Sequence, residues 1–261
     1  MTNPKQFVTL YFCFEDLDTV AEILPTVLTE CRATNSGLIV VDSSQANRVK
    51  MFQLIVSIME HPDEFPIIQC SSFSMGFARN IALSAAIELY APEYICMLED
   101  DHGFTEGLVQ IAIGAMKKYY GQTGPIGLRF GLFTACPFCW GQPYMQNLVR
   151  TDDGHLCVAN LSLPLLQIGG ANSCFRCAPT VHWVSVLKGY DTDEYPISTF
   201  QTAGLNYRNY QKGFTSLVLG SGDLVIRKHR EGRGYTIEES KRPFDKAYSM
   251  RDPRSNYKKS S

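Results

Sequence analysis

Three carboxylates stand in a row at Glu99, Asp100 and Asp101. Adjacent carboxylates repel one another, so such a run is costly unless a cation or solvent relieves it. A hard cation such as Mg2+ or Mn2+ takes oxygen ligands, typically one or two carboxylates plus substrate phosphates. The alternative is a solvated acidic turn. Asp42 follows the apolar run GLIVV at 37–41. There it can accept hydrogen bonds from a ribose hydroxyl or a base N–H, or close an Asx turn. Arg79 and Asn80 follow Met75, Gly76, Phe77 and Ala78. A guanidinium beside a carboxylate cluster neutralises a diphosphate or orients a carboxylate; the bland reading is an ordinary ion pair on a helix.

The nine cysteines include two C-x-x-C pairs, Cys136 with Cys139 and Cys174 with Cys177. Together they have the composition of a tetrathiolate zinc site. Against it, residues three apart on a strand face opposite sides. Trp140, Tyr144 and Trp183 have flat rings that stack on sugars, although core packing suits Trp183 better.

These side chains need elements to hold them. Apolar runs at 7–14, 37–41, 66–70, 94–98 and 125–133 read as strands. Helical spacing appears at 17–31 (Val20, Ile23, Leu24, Val27, Leu28), 49–59, 74–90 and 105–120. Ser74 and Thr105 are expected N-caps and Gly121 a stop. Strand–helix units in succession imply a parallel sheet with right-handed crossovers. Continuous apolar runs suit strands buried on both faces. Ligands in such a sheet bind at the carboxyl ends of the strands. Those ends carry Glu15 and Asp16, Asp42, Ser71 and Ser72, and the 99–101 cluster. Residues 134–180 are richer in Cys, Gly, Pro and aromatics, with a short strand expected at 156–161. Helices are expected at 179–187 and 201–211, strands at 216–219 and 224–228, and a frayed tail at 251–261.

Composition excludes several classes. With 261 residues, 45% hydrophobic and 19% charged, the chain is a globular protein rather than a disordered one. A net charge of -2 gives no sign of a nucleic-acid binder. No apolar run approaches the roughly 18 to 20 residues of a membrane span. The polar start at residues 1–6 and the odd cysteine count point to a cytoplasmic protein with reduced thiols.

Taken in order, several strings resemble the family 2-like nucleotide-sugar glycosyltransferases of the GT-A fold. Residues 38–44 (LIVVDSS) are similar to that family's strand followed by Asp. Residues 76–82 (GFARNIA) resemble its Gly-x-Ala-Arg-Asn helix, and 94–101 (YICMLEDD) its strand ending in Asp-x-Asp, here Glu-x-Asp. Residues 168–176 (IGGANSCFR) resemble its acceptor-side Gly-Gly-x-Asn-x-x-x-Arg. The resemblance covers roughly residues 7 to 230. It implies an α/β fold: a Rossmann-like, mixed, mostly parallel sheet flanked by helices, with a smaller acceptor-side subregion. A nucleotide-sugar half would span 1–133 and an acceptor half 134–237, with an extension and tail at 238–261, all in one integrated domain. The implied activity is that of a hexosyl- or pentosyltransferase using Mn2+ or Mg2+. It would move a sugar from a nucleotide-diphosphate sugar to a glycan or other hydroxyl acceptor. Glu15 and Asp42 would meet the base, Arg79 the nucleotide, and Glu99 the ribose, with Asp100 beside them on the nucleotide. Asp101 would ligate the metal. His229 would complete the metal site, and Arg230 and Arg233 would meet the phosphates when their loop closes.

One stretch departs from the family. Inverting members place a general base in a helix reading Glu-Asp-x-Asp-Leu-x-x-Arg. The matching residues are Gln201, Thr202, Ala203, Gly204, Leu205, Asn206, Tyr207 and Arg208, which keep the Leu and Arg but neither initial carboxylate. Either a nearby acid takes over, or the enzyme is retaining, or the chain has lost activity; Asp193 and Glu194, which match an acceptor-side Asp-Glu pair of the family, are the candidate substitute bases, the alternative being a solvated acidic loop. Rival readings are a nucleotidyltransferase, a catalytically inactive sugar-binding GT-A module, and a zinc-ribbon interaction protein. The nucleotidyltransferase would carry a Gly-rich phosphate loop after the first strand, and residues 14–17 have none.

Overall fold

The structure is a computed structural model that describes residues 4–61, 63–70, 75–100, 102–123, 127–135, 148–150, 156–158, 175–190, 205, 208, 209, 211–219 and 225–227. Its first part alternates β1 (Phe7–Cys13), α1 (Leu17–Ala33), β2 (Gly37–Asp42), α2 (Arg48–Met59), β3 (Ile67–Gln69), α3 (Met75–Tyr90) and β4 (Tyr94–Glu99). β1 lies parallel to β2 on one side and to β4 on the other, and β2 lies parallel to β3. All four carboxyl ends therefore share one edge of the sheet.

The apolar runs explain why these strands are central. Every residue of β1 and β2 is buried. Successive side chains point to opposite faces. Phe7, Tyr11, Leu38, Val40, Cys96 and Leu98 enter one core with α1, α2 and α4. Val8, Leu10, Phe12, Ile39, Val41, Ile95 and Met97 enter a second core against α3 and Trp183. Burying each large apolar side chain contributes roughly 1.5–3 kcal/mol, so one-sided solvation of β1 would forfeit half of what holds it. On α1, Val20, Ile23, Leu24, Val27, Leu28 and Cys31 recur at helical spacing and are all buried. Asp16 caps that helix, its Oδ1 accepting from the Thr19 N–H at 3.0 Å.

The second part adds β5 (His102–Phe104), α4 (Leu108–Tyr119), β6 (Arg129–Ala135), β7 (Leu148–Arg150), β8 (Leu156–Val158), β9 (Phe175–Pro179), β10 (Phe214–Leu219) and β11 (Val225–Arg227). The nine-stranded sheet runs β3-β2-β1-β4-β9-β6-β10-β8-β7. β9 inserts antiparallel between β4 and β6, while β10 lies parallel to β6. The sheet is thus mixed, as expected, and draws strands from both the 1–133 and the 134–237 segments. β11 pairs antiparallel with β5 in a separate two-stranded sheet. The expected tail at 238–261 lies outside the described residues.

Two local expectations are corrected. The helix expected at 105–120 starts later, at Leu108, because residues 102–104 form β5. Its N-terminus is capped from a distance and not by Thr105. The buried Glu30 of α1 accepts from the N–H groups of Gly107 (3.1 Å) and Val109 (3.3 Å). Thr105 Oγ1 has no hydrogen-bond partner among the described residues. Burial pushes the Glu30 carboxyl up from its ordinary value, ahead of the lowering effect of those two N–H groups. The helix expected at 179–187 is a single α-turn, Thr180–His182, that widens into a π-turn, Trp183–Leu187. Of the helix expected at 201–211, Leu205, Arg208, Asn209 and Gln211 are described, and all are helical. Gly121, the expected stop, has φ +76° just past the end of α4.

Glycine is required at β5. A Cβ at Gly103 would collide with the Thr26 side chain of α1, so this strand can press against the helix only without a side chain. No helix among the described residues is long and apolar enough to cross a membrane.

Candidate functional site

From β1 the chain steps outward to β2 and β3, then returns past β1 to β4. The strand order changes direction at β1, and the crevice beyond the carboxyl ends at such a switch point is where open α/β sheets bind ligands. The residues that end β1, β2 and β4 are Cys13, Asp42 and Glu99. The structure therefore gathers Glu15, Asp42, Glu99 and Asp100 at one edge, from sequence positions that span most of the first hundred residues.

Glu99 and Arg79 form the charged centre. Arg79, in the first turns of α3, donates from Nη2 to Glu99 Oε1 at 2.5 Å. The guanidinium side chain is 5% exposed and the carboxylate 26%. The cation thus lies beneath, and the anion faces outward. The Arg79 guanidinium also stacks over the Tyr190 ring at 4.9 Å and lies 5.8 Å from the Phe12 ring. Aromatic faces attract a cation that has been stripped of water.

The other carboxylates are turned inward. Asp100 is fully buried. Its Oδ2 accepts from the Phe14 N–H at 2.8 Å, and its backbone carbonyl accepts from the Tyr11 hydroxyl at 3.0 Å. It ties β4 to the end of β1. Asp42 is also fully buried. Its Oδ1 accepts from the Ser44 N–H at 2.9 Å, which is the Asx turn, and its Oδ2 lies 3.5 Å from Gln69 Nε2.

Glu15 sits in the left-handed region at φ +58°. Its carboxylate accepts from the backbone N–H groups of Gln45, Ala46 (2.9 Å) and Asn47 (3.0 Å), ahead of α2. Its own N–H donates to Ser44 Oγ at 2.9 Å, and its carbonyl accepts from Asn47 Nδ2 at 3.0 Å. Burial pushes the Glu15 carboxyl up, but the three N–H donors together outweigh it and hold the group below its ordinary value. Glu15 thereby locks the loop that follows β2 onto the turn that follows β1.

Asp101, Asp193, Glu194 and His229 lie outside the described residues, as do Arg230 and Arg233. The described neighbours of two of them are brought together. In the β5–β11 ladder Arg227 stands opposite His102. His102 follows Asp101 directly, and Arg227 precedes His229 by two positions. Among the described residues no group of three His, Cys, Asp or Glu side chains could hold a metal ion.

Tyr190 has no role in the sequence reading, yet it joins the two sides of the site. It is 3% exposed, and its hydroxyl accepts from Arg176 Nη1 at 2.7 Å and donates to Met97 Sδ at 3.2 Å. Asn80 grips its backbone, with Oδ1 accepting from the Tyr190 N–H at 2.7 Å and Nδ2 donating to the Tyr190 carbonyl at 2.8 Å. The Gly-Tyr string before an acidic stretch was the only local signal for it. Trp183 is fully buried, and its Nε1 donates to the Ile95 carbonyl at 3.0 Å, which makes it a core residue. Cys177, one of the four paired cysteines, is fully buried in the core with Phe7 and Phe133, and burial pushes its thiol far up. Cys136, Cys139 and Cys174 lie outside the described residues.

No known family's profile matches the sequence, and no curated protein sequence matches it. Solved structures do match. The chain is similar to GalNAc-T7, solved with UDP, GalNAc and Mn2+, with a TM-score of 0.64 at 13% identity over 93% of this chain and 48% of that one. It is similar to the mannosyltransferase PcManGT from Pyrobaculum calidifontis, solved with GDP-Man and Mn2+, with a TM-score of 0.55 at 15% identity over 90% of this chain and 59% of that one. It is also similar to S. aureus TarS, with a TM-score of 0.54 at 12% identity over 86% of this chain. The match spans only 37% of the length of TarS, so this chain corresponds to part of that protein. At identities this low, what these structures share with this chain is its architecture: the chain has the GT-A fold.

Proposed function

We propose that this chain is a metal-dependent glycosyltransferase that takes a nucleotide-diphosphate sugar at the β1/β4 crevice and passes a hexosyl or pentosyl group to a hydroxyl acceptor. The observation that carries the reading is the division of labour between Glu99 and Asp100, the two described carboxylates of the three. Glu99 is bound to Arg79 at the rim, and Asp100 is bound to the backbone of Phe14. Asp101 is left as the carboxylate for a divalent metal. The β5–β11 pairing supports His229 as its partner, because that ladder returns the C-terminal strand to the segment that begins at Asp101. A carboxylate with an imidazole suits Mn2+, and the metal would supply charge for the departing diphosphate.

In this reading Glu99 accepts from a ribose hydroxyl while Arg79 supplies positive charge beneath the nucleotide. Asp42, Asp100 and Glu15 shape the pocket from behind: each spends its carboxylate on a backbone N–H of a strand-end loop. Asp193 and Glu194 are the candidate bases for the acceptor hydroxyl. Two of the similar structures hold UDP or GDP-Man together with Mn2+, which supports this class of donor. The turn after β1 is Phe14-Glu15-Asp16, without the glycines a nucleotidyltransferase loop would use.

The test is thermal melting with UDP, GDP, ADP and CDP, each with and without Mn2+, followed by donor hydrolysis. The expected result is stabilisation by one nucleotide that depends on the metal, then slow release of sugar from the matching donor. No stabilisation by any of them would sink the reading. A second reading is a GT-A module that binds a nucleotide sugar without transferring it, favoured by Gln201 and Thr202 standing where the family places two carboxylates. Metal-dependent nucleotide binding with neither hydrolysis nor transfer would select it.

A further inference from the structure

We propose that Tyr190 is a positioning residue that presets the Arg79–Glu99 pair for its ligand and couples it to the acceptor-side strand β9; the functional part of this rests on the donor-site reading above. Among the described residues Arg79 makes one charged hydrogen bond, to Glu99. That contact alone leaves a long side chain free to swing about the carboxylate. The guanidinium carbon lies over the Tyr190 ring, 4.9 Å from its centroid. A planar cation over an aromatic ring keeps its orientation and loses less entropy when it binds an anion.

Tyr190 in turn is fixed from every side. Trp183 stacks against it at 6.4 Å between centroids and 27° between planes. Arg176 of β9 and Met97 of β4 hold its hydroxyl. Asn80, the residue after Arg79, holds its backbone N–H and its carbonyl. The clasp needs Gly189, whose φ is +67° and at which a Cβ would come within 2.5 Å of Asn80 Oδ1. Arg208 Nη2 donates to the Gly189 carbonyl at 2.6 Å. Arg79 and Asn80 thus grip one residue from consecutive positions, Arg79 through its ring and Asn80 through its backbone. A shift of β9 or of Arg208 is passed through Tyr190 to the carboxylate at the mouth of the crevice.

The test separates geometry from function. In 15N-labelled protein the Arg79 Nε–Hε signal, assigned by its loss in Arg79→Lys, carries a ring-current shift from Tyr190. Tyr190→Leu removes the ring. Tyr190→Met does so with a longer, more adaptable side chain, and serves if the first variant melts too low to study. Tyr190→Phe keeps the face and drops the hydroxyl. The expected result is that Leu or Met displaces the Arg79 signal and weakens UDP or GDP binding with Mn2+ by about tenfold or more. Tyr190→Phe is expected to restore the signal and recover affinity to within about threefold of wild type. An Arg79 signal unmoved by Leu and Met would overturn the proposal. So would a displaced signal with unchanged nucleotide affinity, and in that case the donor-site reading would stand. A wild-type protein that binds neither nucleotide would overturn the donor-site reading first, and the coupling with it.

Discussion

At the carboxyl ends of the parallel strands Arg79 and Glu99 form an ion pair, whereas at the opposite end a buried histidine, His182, is paired with an amide. Arg79 and Glu99 remain an ion pair beside a partly exposed rim. Beyond the start of β4, His182 is completely buried. Its Nε2 is 2.9 Å from Asn209 Oδ1 and its Nδ1 3.4 Å from the Tyr120 hydroxyl. Burial, which outweighs the Asn209 hydrogen bond, lowers its pKa to about 4, so it is neutral at pH 7. The ring fits only because residue 131 is glycine: a Cβ there would strike His182. Desolvating a charge is expensive unless a partner or a ligand offsets it. The difference teaches where ligand chemistry can happen. One end keeps charge at an opening, and the other spends its polar groups on one another.

The sharpest test of that contrast removes the proposed metal pair. Asp101→Asn and His229→Ala should each abolish the Mn2+-dependent rise in melting temperature with nucleotide, without lowering the melting temperature of the free protein. A surviving Mn2+ effect in either would reassign the pair. Next, Arg79→Gln should weaken nucleotide binding by roughly 10- to 100-fold by calorimetry, the range for losing a charged hydrogen bond.

At the neutral end the sign of the pH effect is set by His182. Its folded pKa of about 4 lies below the ordinary 6.5, so the unfolded chain binds more protons between the two. The stability it contributes is complete above pH 6.5 and is lost as pH falls towards 4, on the order of 3 kcal/mol in all. Urea unfolding at several pH values reads this, and His182→Gln should flatten the slope. Gly131→Ala should cost about 1–3 kcal/mol by overpacking while nucleotide affinity per folded molecule is kept. A fall in affinity would mean that the two ends are coupled. The smallest effect is expected from Glu30→Gln, within about 1 kcal/mol by thermal melting. It loses a charge at the α4 N-terminus but also the burial of that charge.

Much of the first hundred residues was legible because its signals are local. The runs FVTLYFC and GLIVVD are apolar on both faces and so read as central strands, and α1 shows its buried stripe at helical spacing. The carboxylates follow those strands directly, so their place at one edge came with the parallel sheet. What each carboxylate does there was not legible. Glu99 meets a guanidinium 20 positions away, Glu15 meets backbone N–H groups about 30 away, and Asp100 meets one 86 away. A run of three like residues gives no hint of which one will face outward.

By itself, then, the sequence determined the strand–helix alternation, the apolar cores and the edge where the acidic residues collect. Those follow from hydrophobic periodicity within a dozen residues. The tertiary structure decided that β9 enters antiparallel between β4 and β6, that β11 returns to β5, that Glu30 caps α4, and that Tyr190 clasps Asn80 across 110 positions. These depend on pairing and desolvation between distant segments. Their energies exist only once the chain has closed the intervening loops.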